Sequence, residues 1–474
     1  MKNAMVLSFK SRLNSAQVAL KGFPWKIATI LYTMSWGWSL LRPNTLYWDD
    51  WHDLFQRDKW FAREYYMSSG RPPWEGFLHA LLTPVGIWTF SVLTFVLFFV
   101  AGIFLFLILK TAENPQILNI NLILLVFLIT PVNHARIAAI IFQYTSSYFL
   151  FFLAWMLLVR HKSKKSFLLA CIAMFLSFKT HSFLFFVLLP FAHFIWINRS
   201  NLKDRQKFIS RKRLQILIVA TLPVLYVLLR SIFWPSVGRF VNYQKIYSNG
   251  VVMSTTLFIP FVFCCILFFF LHNSKRQVPT GLIVTLLGTF AIAISLFPYL
   301  ISNNIDRYIF TFNIGWQSRH LILTPLGISF VVVGLSQLTS KKKHYVAKLA
   351  LILSMLVNIF VGTQYYLQSV QQTEITNLFK AQKIQSVISE FSDETARFKG
   401  RGATYSEYEF FGMLNDAGYS YPKRVGYKYV CKANPNGAKL TVKSDKSFLD
   451  ALLSRNTSTY FEITTCAEVL SQQG

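Results

Sequence analysis

Charged residues are scarce in this chain of 474 residues, since Asp, Glu, Lys and Arg together make up only 14% of it, whereas 53% is hydrophobic. This balance excludes an ordinary soluble globular protein. It favours a membrane protein with many spanning helices, because lipid offers backbone groups no hydrogen-bond partner and a helix satisfies its own. The first 25 residues lack a compact apolar core followed by a small-residue cleavage site, so we expect no cleaved signal peptide.

Several catalytic signatures are also missing from the sequence. It contains no glycine-rich phosphate loop, no CxxC or HExxH metal spacing and no GxSxG nucleophile motif. We therefore expect no required cofactor. A divalent cation at Asp49 and Asp50 remains open, because paired carboxylates bind hard cations.

Eleven apolar stretches predict spanning helices. They lie near residues 26–42, 84–109, 117–132, 143–159, 166–178, 183–197, 215–234, 254–272, 278–300, 321–338 and 346–362. With the N-terminus in the cytoplasm, the cytoplasmic connections carry 23 Lys and Arg residues and the opposite connections carry 12. This split follows the positive-inside rule, so the net charge of +28 is explained by topology and we expect no nucleic-acid partner.

The predicted fold has two parts. Residues 1–362 form an all-α polytopic membrane domain with a first extracytoplasmic loop at 43–83. Residues 363–474 contain 11 acidic and 13 basic residues and no spanning run, which predicts a small extracytoplasmic α/β domain. Its predicted helices are at about 366–392, in "SEYEFFGMLNDAG" and in "DKSFLDALLSR", and its predicted strands are in "KRVGYKYVCK", "AKLTVK" and "TYFEITTC".

The five cysteines fit the same topology. Cys171, Cys264 and Cys265 lie in apolar stretches and are most simply small hydrophobic residues. Cys431 and Cys466 are the two cysteines of the tail. On an oxidising side of the membrane they would form a disulfide, and the alternative is two unpaired buried thiols.

Acidic residues concentrate in the first extracytoplasmic loop, which holds six of the nine Asp and Glu residues that precede residue 363. In "LYWDDWHD", Asp49 and Asp50 follow an aromatic membrane exit, and Asp53 comes one helical turn after Asp49. Desolvation near the bilayer raises the pKa of a carboxyl group and prepares it to act as a general base. We therefore predict a catalytic role for Asp49 and Asp50, whereas Asp58, Glu64 and Glu75 are better explained as solvating a long loop.

Basic side chains at the extracytoplasmic ends of the predicted spans are candidates to bind a phosphate, because Arg forms paired, charge-assisted hydrogen bonds. They are Arg136, Lys179, His181, Arg319 and His320. The alternative is that these residues extend to lipid headgroups. Arg71 lies between Gly70 and Pro72 and near Trp74, which could stack on a sugar ring or on lipid. A simple loop turn is the competing interpretation.

The order of these features resembles the GT-C glycosyltransferases, and most closely the integral-membrane glucosyltransferases that modify O-antigen. The resemblance rests on a first span, on Asp49 and Asp50, on Arg57 or Arg63, and on "GRPPW" at 70–74, and it covers about residues 26–340. It implies a bacterial inner-membrane enzyme that takes a hexose, glucose in the closest group, from a polyprenyl-phosphate sugar. The acceptor would be O-antigen or another lipid-linked glycan, and an acid of the first loop would accept the proton of the acceptor hydroxyl in an inverting transfer.

Two other functions fit a basic, aromatic-rich membrane protein. An O-antigen polymerase would place its large loop late in the chain and fill it with Arg, whereas here the acid-bearing loop comes first. A lipid or glycan transporter would place ionisable residues in the middle of its spans and show internal repeats. Here they cluster at span ends, which favours the transferase.

Overall fold

The structure is a computed structural model that describes part of the chain. The described residues are 18, 20–53, 61–112, 118–160, 163–180, 182–198, 205–238, 241, 279–301, 316–339, 344–382, 409, 412–413, 416–418, 438–442 and 461–465.

Helices dominate these residues. In chain order the α-helices are α1 (Trp25–Trp36), α2 (Asp50–Asp53), α3 (Phe61–Ser68), α4 (Pro73–Leu82), α5 (Trp88–Leu109), α6 (Ile120–Ile129), α7 (Phe142–Arg160), α8 (Lys164–Ser177), α9 (Phe183–Phe186), α10 (Leu188–Asn198), α11 (Arg205–Phe233), α12 (Thr280–Ile301), α13 (Thr324–Thr339) and α14 (Tyr345–Gln382). Short 3-10 helices cover Gly37–Leu40, His134–Ile137, Ala139–Ile141 and Trp316–Leu321.

Within the described part of the chain, which is mostly helical, five helical stretches are long and apolar enough to cross a membrane, in agreement with the predicted helical membrane protein. They are Trp88–Leu109, Ala139–Arg160, Leu214–Phe233, Thr280–Ile301 and Tyr345–Val370. Five other predicted spans coincide with shorter helices, namely α1, α6, α8, the pair α9 and α10, and α13. The predicted span at 254–272 lies outside the described residues, so the count of eleven stays a prediction.

Aromatic side chains fill the core between α5, α6 and α7. The ring of Phe98 stacks on Phe127 at 5.5 Å between centroids and on Tyr148 at 5.2 Å, and all three are buried. Such rings bury large apolar areas and prefer offset or edge contacts with one another. This core reaches one of the predicted site residues, since the guanidinium of Arg136 lies 4.2 Å from the ring centroid of Phe98.

Glycines bring α12 and α13 into close contact. Gly281 and Gly288 lie seven residues apart on α12, and Gly327 and Gly334 have the same spacing on α13. A Cβ atom added to Gly288 would lie 2.6 Å from the carbonyl oxygen of Gly327, and one added to Gly334 would lie 2.5 Å from the nitrogen of Thr285. Small residues let helix backbones approach in this way in membranes, where burial of apolar surface does not drive helices together.

The change in composition after residue 362 does not interrupt α14, which runs from Tyr345 to Gln382, and the predicted domain boundary stays a prediction. No proline interrupts the stretch, and the change from apolar to polar residues does not end a helix. Gly362 lies within it and packs against Trp38, where a Cβ atom would be 2.4 Å from the indole ring. The helix therefore carries the end of the membrane part directly into the tail.

The described part of the tail contains a two-stranded antiparallel sheet. Strand β1 (Ala438–Val442) pairs with β2 (Phe461–Thr465), with Leu440 opposite Ile463. The strands fall within the predicted segments "AKLTVK" and "TYFEITTC". Most of the predicted α/β domain lies outside the described residues, as do Cys431 and Cys466, so their disulfide stays a prediction.

Candidate functional site

Asp50 ties the first loop to the start of a spanning helix. Its carboxylate is fully buried and accepts three backbone N–H groups: Oδ2 accepts those of Tyr47 at 3.1 Å and Ala139 at 2.9 Å, and Oδ1 accepts that of Ile140 at 2.7 Å. Ala139 and Ile140 begin the apolar stretch Ala139–Arg160, and a helix N-terminus favours a negative charge. Asp50 is thus an anchor for the loop and is closed to a substrate.

Burial raises the pKa of Asp50 to about 7, although the three N–H groups oppose the rise by favouring the carboxylate. The neighbouring charge of Asp49 adds to the increase.

Asp49 is held between two fixed residues and is itself half-buried. On one side is Asp50. On the other, the backbone of Trp48 adopts a left-handed conformation with φ of 50°, and its N–H group donates to the buried carboxylate of Glu409 at 2.9 Å. Since left-handed backbone is costly for a bulky residue, the tail contact at Glu409 helps to hold it. Asp53 lies in α2, and its side chain is outside the described part.

An aromatic cluster connects this loop to the membrane helices. The ring of Tyr47 meets Tyr365 of α14 edge to face at 5.5 Å, and Trp48 meets the same ring at 5.8 Å. Tyr66 and Tyr144 pack against the same cluster. The cluster therefore joins the acidic loop to the segment that carries Arg71.

Two tyrosines contact the side chain of Arg71 and fix its position. Its Nη2 donates to the hydroxyl of Tyr144 at 3.3 Å, and its guanidinium lies 5.4 Å from the ring centroid of Tyr66. Gly70 before it has a φ of 77°, a conformation that glycine adopts without strain. The carbonyl of Gly70 accepts from Nε of Arg230 at 2.6 Å. The predicted "GRPPW" motif is thus a turn at residues 70–72 that leads into α4 at Pro73 and is held against the end of α11.

Trp74, in the first turn of α4, meets Trp234 edge to face at 5.2 Å. Its predicted role in stacking on a sugar or on lipid stays a prediction.

Arg319 and His320 approach from the 3-10 helix Trp316–Leu321. The His320 ring lies 4.5 Å from that of Tyr299 on α12, and within the described residues neither ring nitrogen has a hydrogen-bond partner. Burial, reinforced by the charge of Arg319, holds the pKa of His320 well below its ordinary value, so the ring is neutral at pH 7. A buried imidazole without a partner can accept or donate a hydrogen bond to a bound polar ligand.

Three arginines from three elements lie in one region. Arg230 donates to the carbonyl of Gly70, the residue before Arg71, and the charges of Arg71 and Arg319 both act on the Tyr299 hydroxyl. We call Arg71, Arg230 and Arg319 the arginine cluster. Like charges repel, so such a group is well suited to bind an anion, and the planar guanidinium matches a phosphate.

Lys179 is buried at the end of α8, where Nζ donates to the hydroxyl of Ser146 at 2.7 Å. It thereby joins α8 to α7. His181 lies outside the described residues.

Arg136 has different surroundings from those the sequence predicts for a phosphate ligand. Its guanidinium lies 3.2 Å from the ring centroid of Trp36 and 4.2 Å from that of Phe98, and burial lowers its pKa to about 10. The adjoining cavity of about 10 Å³ has room for one water molecule, and the role of Arg136 in binding a phosphate stays a prediction. The aromatic faces stabilise this buried guanidinium.

The question of a metal ion turns on the two acids. The carboxylate of Asp50 already accepts hydrogen bonds from three backbone N–H groups. A cation bound to this carboxylate would have to displace these partially positive hydrogens. Within the described part of the chain, no group of three His, Cys, Asp or Glu side chains is arranged to hold a metal ion. The pair therefore does not fit the predicted alternative of a shared cation, and we derive no step through one.

Sequence reasoning missed Tyr144, Tyr299 and Glu409. The two tyrosines lie in apolar helices, where a single aromatic residue carries no signal of function, and Glu409 is one acid among many in the tail. Arg230 carried a usable signal, because it is a basic residue at the end of a predicted span.

No family model matches the chain, and no curated protein or solved structure matches it significantly.

Proposed function

We propose that this protein is a glycosyltransferase that moves a hexose from a polyprenyl-phosphate sugar to O-antigen or another lipid-linked glycan on the extracytoplasmic side. One observation carries the proposal. A fixed acidic segment at Asp49 and Asp50 and the arginine cluster are joined by a single aromatic cluster at the ends of membrane-spanning helices. A lipid-linked sugar phosphate presents its phosphate at that level of the membrane.

The chemistry assigns one role to each part. Asp49 accepts the proton of the acceptor hydroxyl as its oxygen forms a bond to C1 of the sugar. The bond between C1 and the phosphate oxygen breaks on the opposite face, so the anomeric configuration inverts. Polyprenyl phosphate departs with the bonding electron pair, and the arginine cluster stabilises the charge that develops on it.

Glucose as the sugar and the bacterial inner membrane as the location follow from the resemblance to O-antigen glucosyltransferases. The extracytoplasmic side of the loop and of the tail follows from the positive-inside split of the connections.

Glycan analysis of cells with and without the protein tests the proposal. We expect one additional hexose per repeating unit when the protein is present, and purified protein in liposomes should produce it from a synthetic polyprenyl-phosphate hexose. An unchanged repeat mass with shortened chains would instead identify a polymerase. Accumulation of unmodified lipid-linked sugar on one side of the membrane, with no transfer, would identify a transporter.

A further inference from the structure

A polar groove lies between the first loop and the part of α14 that continues into the tail. It has a volume of about 500 Å³ and is lined by residues 41–46, Trp51, Ile87, the α14 residues between 369 and 380, and Asp416. This volume is within the usual range of about 300–1,000 Å³ for small-ligand sites. The apolar stretch of α14 ends at Val370, so most of this lining lies beyond the membrane-spanning part.

Hydrogen bonds between its walls fix the width of the groove. Gln372 of α14 donates through Nε2 to the carbonyl of Leu46 at 2.9 Å, and Arg42 donates through Nη1 to the hydroxyl of Thr373 at 3.2 Å. A wall of the tail joins through the ion pair of Lys380 and Asp416 at 3.8 Å. The groove is therefore formed before any ligand binds.

The chemistry of the lining favours a neutral ligand with many hydroxyl groups. Thr376 and Asn377 contribute a hydroxyl and an amide, which both donate and accept hydrogen bonds. The hydroxyls of Thr45 and Ser369 donate to the carbonyls of Arg42 and Tyr366 and keep their acceptor capacity. Each of the two cations in the lining already has a partner, since Arg42 bonds Thr373 and Lys380 pairs with Asp416.

Apolar surface complements these polar groups. Trp51 is buried in the groove wall, and Gly412 of the tail packs on its ring, where a Cβ atom would be 2.3 Å from Cε3. Leu41 and Pro43 extend the apolar surface. A sugar ring presents hydroxyls at its edge and C–H groups on its faces, and this lining matches both.

We infer that the groove binds the acceptor glycan. The inference rests on the proposed function, and the chain itself supplies the connection. Residues 41–46 and Trp51 line the groove, and Asp49 lies between them in the same short segment. A glycan in the groove therefore lies against the segment that carries Asp49.

Binding of a labelled glycan to the full-length protein in detergent tests this inference. The probe is envelope polysaccharide released by mild acid from cells lacking the protein, labelled at its reducing end and used without donor. Asn377→Trp fills the groove from an exposed position, and Thr376→Val removes one hydroxyl while preserving volume. Glu64→Trp places the same large side chain on the exposed face of α3 as a matched control.

We expect saturable binding to the wild type, roughly tenfold weaker binding to Asn377→Trp, and severalfold weaker binding to Thr376→Val. Glu64→Trp should bind like the wild type. No saturable binding to the wild type, or equal binding by both groove variants, would overturn the inference. If the groove variants weaken glycan binding but the wild type transfers no hexose, the proposed function is wrong and the binding site stands. If the wild type transfers hexose but both groove variants bind the glycan as well as the wild type, the groove is not the acceptor site and the proposed function stands.

Discussion

The substitution Gly288→Ala has two opposing effects on the stability of the protein. In an open helix, replacing glycine by alanine stabilises by about 1 kcal/mol, because alanine is the better helix former. At Gly288, however, the new Cβ atom would lie 2.6 Å from both the carbonyl oxygen of Gly327 and the nitrogen of Val331, whereas ordinary contacts begin at 3.4 Å. Both are backbone atoms, so no side-chain rotation relieves the overlap and the two helices must separate.

Overpacking of this kind costs about 1–3 kcal/mol, and more where backbone must move, so the contact outweighs the gain in helix propensity. We expect a net loss of about 1–2 kcal/mol in the free energy of unfolding. Separation of α12 from α13 would also move Tyr299 away from His320, whose rings now lie 4.5 Å apart. Hexose transfer should therefore fall together with stability.

Thermal unfolding in detergent, followed by tryptophan fluorescence, measures the effect. Thr289→Ala is the matched control, because the next residue along α12 is exposed and its change to alanine meets no neighbouring helix. We expect a lower Tm for Gly288→Ala and an almost unchanged Tm for Thr289→Ala. A Tm for Gly288→Ala at or above that of the wild type would refute the close approach of the two helices.

Three further predictions concern the site. Burial raises the pKa of Asp50 from 3.8 to about 7, so the folded state binds this proton more tightly and the contribution of Asp50 to stability is lost as the pH rises through that interval. The Tm of the wild type minus that of Asp50→Asn should therefore decrease from pH 4 to pH 7, and an increase would contradict the role of burial. Glu409→Ala removes the acceptor of the Trp48 N–H group and should lower kcat with little change in the donor KM, whereas Glu409→Gln retains an acceptor oxygen and should restore kcat; equal kcat values for both variants would exclude a positioning role. Arg319→Ala should raise the donor KM roughly tenfold and leave the acceptor KM unchanged, and an unchanged donor KM would remove Arg319 from the phosphate site.

The membrane-spanning helices could be predicted because their signal is local. A long apolar run identifies a spanning helix whatever its neighbours are, and Trp88–Leu109 and Thr280–Ile301 follow the predicted stretches closely. The strands β1 and β2 were visible for the same reason. The continuity of α14 could not be predicted, since the change in composition at residue 363 gives no sign that one helix runs across it.

The site depended on contacts between distant parts of the chain, and these are not encoded in any one segment. From the sequence, both Asp49 and Asp50 were predicted to be catalytic, and nothing in it indicated that Asp50 anchors the loop. The difference arises from Ala139 and Ile140, about 90 residues away in the chain, whose N–H groups occupy Asp50. In the same way, nothing in "NHAR" distinguishes an aromatic environment for Arg136 from a phosphate site.

Hexose transfer by Asp49→Asn is the most direct measurement of the central claim. Asn preserves the size of the side chain and cannot accept the proton, and loss of a general base lowers the rate by about 100-fold to 10,000-fold. Transfer from a polyprenyl-phosphate hexose would be measured in membranes at matched protein level, with the exposed Glu64→Gln as the control acid of the same loop. The account predicts that Asp49→Asn loses nearly all activity while donor binding and the activity of Glu64→Gln are preserved. Retention by Asp49→Asn of more than about a tenth of wild-type activity would contradict it.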